Sequence, residues 1–121
     1  YFKGGIIAYS NTVKVANGVD ARLIEQHGAI SPEVAEAMAI AAAQTLEADV
    51  GIGITGVAGP LEQEGKRVGT VNISVTYNGE TRTSRHQMPP RRSLVKSRAV
   101  VTSLLALVQL LRSHDPAQPP A

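Results

Sequence analysis

The sequence predicts one α/β domain in three layers, with helices on both faces of a mixed sheet of about four or five strands. Three observations predict it. Segments of strand character and helical spacing follow one another as strand, helix, helix, strand, strand, strand, helix, which suits a sheet covered on both sides. The 121 residues suffice for one core but not two. The apolar residues, 43% of the chain, include one Phe, three Tyr and no Trp, so the core is built from Val, Ile, Leu and Ala. The domain is expected over residues 1–113, with a disordered tail at 114–121.

The first expected strand is Gly5-Ile6-Ile7-Ala8-Tyr9, a short apolar run that ends in the turn formers Ser10 and Asn11. Asp20 caps a short helix over 21–27, which Gly28 closes. Ser31-Pro32-Glu33 starts a second helix with a capping hydroxyl, a proline in the first turn and an acid near the positive end. Val34, Met38, Ala41, Ala42 and Leu46 recur along it, an alanine-rich face that can lie close to a sheet. From Asp49 to Thr55, Val50, Ile52 and Ile54 alternate with Gly51 and Gly53, and the bare glycine side admits close backbone approach. Gly69 to Tyr77 alternates apolar with polar residues, and Asn78-Gly79 is the preferred pair for a tight hairpin turn. The return strand, about 80–87, is polar on both faces and belongs at a sheet edge. After Pro89-Pro90 a long helix is expected from about Arg92 to Arg112. Leu94, Val101, Leu104, Leu105, Val108 and Leu111 form its expected buried stripe.

No cysteine is present, which excludes disulfides, thiolate metal sites and cysteine catalysis. No apolar run approaches the roughly 18 residues needed to span a bilayer and no signal peptide is visible, so a cytoplasmic protein without a membrane partner is expected. The opening Tyr1-Phe2-Lys3-Gly4-Gly5 reads as the start of a fragment, or of the ordered part of a longer protein. Charge is uneven: residues 1–80 hold five cations and nine acids, whereas 81–113 hold seven cations and no acid. Such a patch fits a solvated surface, a small-anion site or a nucleic-acid surface. The last is the weakest, because stacking aromatics and a recognisable module are missing.

Three stretches bear chemistry. In the first, Tyr9, Ser10, Asn11 and Lys14 come together at the end of the expected strand, where ligands of α/β sheets bind. A lysine in a partly desolvated pocket loses preference for its ammonium form and can serve as a general base. Spacing alone favours the blander alternative, a turn with a surface lysine. In the second, Ile54-Thr55-Gly56-Val57-Ala58-Gly59-Pro60, a glycine-containing turn after a strand can present successive N–H groups to a phosphate or an oxyanion. It is neither a dinucleotide fingerprint nor a P-loop. In the third, Arg91, Arg92, Lys96 and Arg98 surround the start of the long helix, a natural phosphate seat or simply its solvated face.

Together these stretches resemble the CinA C-terminal domain family. The resemblance rests on Gly-Gly-Ile-Ile-Ala-Tyr-Ser-Asn-x-x-Lys at 4–14, Gln26-His27-Gly28-Ala29-Ile30-Ser31-Pro32-Glu33-Val34-Ala35 and Gly53-Ile54-Thr55-Gly56-Val57-Ala58-Gly59-Pro60. Val68-Gly69-Thr70-Val71 and the Arg92/Lys96/Ala99 spacing add to it, and it runs in order from about residue 1 to 112. It implies an amidohydrolase that converts nicotinamide mononucleotide to nicotinic acid mononucleotide and ammonia, with a serine nucleophile, a lysine base, and no metal or cofactor. It implies Lys14 as the base and Tyr9 as its assistant. Asn11, Thr55, Gly56, Ala58 and Gly59 would then bind substrate, with Arg92, Lys96 and Arg98 toward the phosphate. A homo-oligomer is also implied.

The chain departs from the family twice. The family's nucleophile lies in a Glu-Ser-Cys-Thr-Gly-Gly stretch upstream of the position of Tyr1, and nothing here matches it; Ser10 is not promoted in its place. After Pro60 the family's glycine-rich loop is replaced by Leu61-Glu62-Gln63-Glu64-Gly65-Lys66-Arg67, whose acids are expected to repel a phosphate. The alternative function is a non-catalytic CinA-like module that binds a nucleotide or a protein in competence or DNA damage.

Overall fold

A computed structural model describes residues 1–117 of the chain. Its elements are α1 (Asn11–Ala16), α2 (Ala21–His27), α3 (Pro32–Thr45), β1 (Val50–Gly56), β2 (Thr70–Tyr77), β3 (Glu80–Gln87) and α4 (Arg92–Ser113). The three-layer α/β arrangement holds, with α3 on one face of the sheet and α4 on the other. The sheet is smaller and simpler than expected: three strands in the order β1-β2-β3, wholly antiparallel among the described residues.

The difference lies at Gly5–Tyr9, which forms no strand. Ile7 and Tyr9 are exposed, and the outer edge of β1 pairs with no described strand. A cavity of about 750 Å³ separates the N-terminal segment from that edge, lined by Ile6, Met38, Val50, Ile52, Leu104 and Leu111 among others. Ser10 ends the extended segment by capping α1, its Oγ accepting the Val13 N–H at 3.2 Å.

Helix starts follow the local chemistry. Asp20 accepts the Arg22 N–H at 2.9 Å, and Ser31 accepts the Val34 N–H at 3.3 Å ahead of Pro32. The glycines of β1 face α3. A Cβ at Gly51 would stand 2.0 Å from the Ala39 carbonyl oxygen, and one at Gly53 would stand 2.1 Å from that of Ala35. Helix and strand therefore touch backbone to backbone, through the alanine face. On the other side of the sheet, Val71 and Ile73 pack with Val95, Ala99 and Met88. The hairpin turn between β2 and β3 places Asn78 and Gly79 at φ 50° and 79°, the left-handed pair that such a turn requires.

In α4 the expected buried stripe is corrected. Val95, Ala99, Ser103 and Leu110 are buried, whereas Val101, Leu104, Leu105, Val108 and Leu111 are exposed. The helix is apolar around most of its circumference, and the side carrying the small Ala99 and Ser103 is the one that fits closely on β2. By length and composition α4 is also apolar enough to cross a membrane, with a mean hydropathy of 1.6 over its most apolar 18 residues. Here it packs on the sheet. Of the expected tail, His114 is held: its Nε2 lies 2.9 Å from Glu80 Oε1 and its ring meets Tyr77 edge-on at 5.3 Å. Residues 118–121 lie outside the described residues.

Candidate functional site

A cleft of about 800 Å³ opens where the N-terminal segment, the α2–α3 turn, the end of β1 and the start of α4 converge. It brings together Tyr9, Asn11, Lys14, Thr55, Gly56, Ala58, Gly59, Arg92 and Lys96. Of the residues singled out in the sequence, Arg98 stands apart, exposed on α4 and outside the cleft.

Lys14 is the buried charge of the site. It lies on α1 rather than at a strand end, and only 6% of its surface is exposed. Its Nζ donates to the carbonyls of Ala8 at 2.7 Å and Tyr9 at 3.3 Å. Burial pulls its pKa below the ordinary lysine value, and the negative charge of Glu64 opposes that pull without cancelling it. Two of the donors of the terminal nitrogen are thus committed to backbone carbonyls. Tyr9 contributes its backbone oxygen to this arrangement; its side chain borders the cleft and is 83% exposed.

Thr55 is buried on the α3 side of β1, and its hydroxyl donates to the Ala29 carbonyl at 2.8 Å. The turn beyond it does not offer every amide. The Val57 N–H is spent on Thr70 O at 2.8 Å, whereas those of Ala58 and Gly59 have no protein partner among the described residues. Both residues line the cleft. Arg92 braces the same turn, its guanidinium donating to Gly59 O at 2.7 Å. Ser10 is occupied as a helix cap, and no serine borders the cleft among the described residues.

The 61–67 loop folds back on itself. Gln63 and Lys66 pair backbone to backbone, with Glu64 and Gly65 at φ 53° and 71° forming the turn between them. The Glu64 carboxylate reaches across to accept the N–H groups of Ala29 at 3.0 Å and Ile30 at 2.9 Å. Partial burial pushes its pKa up, but the Ile30 and Ala29 amides and the Lys66 ammonium outweigh burial and hold it below the usual glutamate value. Ala29, Ile30 and Glu64 escaped the sequence reading because the contact joins residues more than thirty positions apart. Its one local signal is Gly28, whose hypothetical Cβ would come within 2.7 Å of Glu64 Oε1.

Three of the seven cations after residue 80 have protein partners. Arg82 pairs with Glu80 and reaches Ser113, Arg85 donates to Asn72, and Arg92 is committed to Gly59. No group of His, Asp and Glu among the described residues is arranged to hold a metal.

Comparison with known proteins places this architecture. Two crystal structures of competence-damaged protein (CinA) superfamily proteins match it. The one from Enterobacter cloacae does so with a TM-score of 0.82 and 33% identity, over 86% of this chain and 63% of that one. The one from Escherichia coli has a TM-score of 0.80 and 32% identity, over 84% of this chain and 60% of that one. A CinA-like protein of Mycolicibacterium paratuberculosis is 44% identical over 120 residues, covering 92% of this chain. The chain spans only 27% of the length of that relative. The family model for the CinA C-terminal domain matches residues 1–111. With the model matching nearly the whole chain and the fold shared with solved members, the chain belongs to the CinA C-terminal domain family.

Proposed function

We propose that this domain is the base-bearing part of an amidohydrolase acting on a nicotinamide nucleotide, which releases ammonia and leaves the nucleotide carboxylate. The observation that carries this reading is Lys14: a buried amine with a depressed pKa, its donors held by two carbonyls, at the wall of a cleft that also holds Thr55 and two free amides. Acyl transfer needs a base, an oxyanion seat and a nucleophilic hydroxyl. Lys14 would take the proton of the hydroxyl as it attacks the carboxamide carbon and pass it to the departing nitrogen, leaving an acyl ester and ammonia. Water, deprotonated by the same amine, would then cleave the ester, freeing the carboxylate and returning the proton to the hydroxyl. The Ala58 and Gly59 amides would face the developing oxyanion. Lys96 and the helix N-terminus beside it favour the phosphate end.

The nucleophile would be a serine supplied from outside these residues, since Thr55 is engaged with Ala29 and Ser10 with Val13. The test is ammonia release from nicotinamide mononucleotide by the full-length polypeptide carrying this domain, compared with its Lys14→Ala variant. Equal rates would remove Lys14 as the base. Absence of turnover in the unaltered protein would remove the enzyme, and binding of the intact nucleotide would then favour a non-catalytic module.

A further inference from the structure

Glu64 lies in a loop that the expected chemistry does not use, yet its carboxylate makes the only side-chain hydrogen bonds among the described residues that tie the 61–67 loop to the α2–α3 turn. Three observations make this contact more than a surface hydrogen bond. Both carboxylate oxygens are used, each on a separate backbone amide, which is the charge-assisted pattern that fixes geometry as well as energy. Room for the carboxylate is built in at Gly28, where any Cβ would meet Glu64 Oε1 at 2.7 Å. And Ala29 is held from both ends: its N–H donates to Glu64, while its carbonyl accepts the buried Thr55 hydroxyl at 2.8 Å. A carboxylate on the mouth of the cleft is thus linked through one residue to a hydroxyl in its wall.

We propose that Glu64 is a positioning residue of this cleft: seated on the Ala29 and Ile30 amides, it fixes the turn whose Ala29 carbonyl orients Thr55, and it holds the 61–67 loop across the bound nucleotide. The role in binding rests on the amidohydrolase reading; the link to Thr55 does not. Leu61, Glu62 and Gln63 border the cleft beside Glu64, so the seat decides whether that side of the cleft is closed. Lys66, 3.6 Å from Glu64 Oε1, supports the carboxylate from within the loop. Glutamine does not replace the acid, because its amide nitrogen would face one of the two N–H donors. Aspartate retains the charge but is one methylene short.

The experiment has two arms in the full-length polypeptide, with Glu64→Ala, Glu64→Gln and Glu64→Asp. In the first, without ligand, amide exchange at Ala29 and Ile30 and the three-bond couplings of the Thr55 methyl group are measured by NMR. The alanine and glutamine variants should exchange these amides at least tenfold faster and average the Thr55 rotamer, while aspartate recovers part of both. An unchanged Thr55 rotamer in Glu64→Ala overturns the proposal. In the second, steady-state kinetics on nicotinamide mononucleotide should show KM raised roughly tenfold in the alanine variant, the scale of one charge-assisted hydrogen bond, with kcat changed by less than about threefold. A variant that loses thermal stability while keeping its KM reduces Glu64 to a structural contact and overturns the positioning role. If the unaltered protein shows no turnover, the amidohydrolase reading fails, and the first arm still decides the link to Thr55.

Discussion

Replacing Gly53 by alanine tests the packing on which the cleft depends. The added Cβ would stand 2.1 Å from Ala35 O, 2.6 Å from Ala39 N and 3.0 Å from Met38 Cβ. Two of these are backbone atoms of α3, which cannot rotate away. Carbon contacts relax at about 3.5 Å, so the helix must retreat by about 1 Å or more, and a gap of that size forfeits up to roughly half of each contact it opens. The interior positions Val34, Ala35 and Ala39 would pay, since all three are fully buried. Overpacking of this kind costs about 1–3 kcal/mol, and the rigidity of the strand places Gly53→Ala at the upper end, about 3 kcal/mol. At roughly 3–5 °C per kcal/mol for a domain of this size, thermal unfolding followed by circular dichroism should fall by about 9–15 °C. Gly79→Ala is the control: its φ of 79° imposes strain, but nothing lies within 4 Å of the added carbon. That strain costs about 1–2 kcal/mol. If Gly53→Ala is no more destabilising than Gly79→Ala, α3 does not lie on β1 as described.

Three further outcomes follow from the site. Lys14→Ala should lower ammonia release from nicotinamide mononucleotide by about 10²–10⁴-fold, the range of a lost general base, measured in a coupled ammonia assay. Thr55→Val keeps the shape but leaves the Ala29 carbonyl without its 2.8 Å donor, and urea unfolding should show a loss of about 1–3 kcal/mol. For Glu64 the folded pKa lies below the ordinary 4.5, so the stability contributed by its seat is fully present above about pH 4.5 and is lost as pH falls through the depressed value. The amide shifts of Ala29 and Ile30 should therefore titrate with a midpoint below 4.5, and a midpoint at or above it would refute the seat.

The elements that the sequence made legible are those whose signals are local. Ser31-Pro32-Glu33, the glycine alternation of β1 and the Asn78-Gly79 turn each state their structure within a few residues, and each appears where expected. The convergence of Lys14, Thr55, Gly56 and Lys96 on one cleft was read through a family resemblance, because spacing carries no information on how distant segments meet. Gly5–Tyr9 misled because an apolar run states burial and not pairing; a strand needs a neighbour, and the edge of β1 is not joined to it. In α4 the apolar residues outnumber one stripe, so periodicity could not say which side meets the sheet, and side-chain size decided it. Glu64 was read only for its charge, since the one local sign, the bare Gly28, does not name the loop carboxylate that fills its space.

The unoccupied margin of β1 bears on how the domain behaves in solution. Along Val50–Gly56, alternate residues turn their backbone N–H and C=O groups to that side, where no described strand takes them. A second polypeptide lying extended along this margin would meet main-chain groups already in register, with an oily hollow of about 750 Å³ to receive its side chains. Left uncovered, the same margin invites like molecules to zip together, so handling of these residues in isolation calls for low concentration.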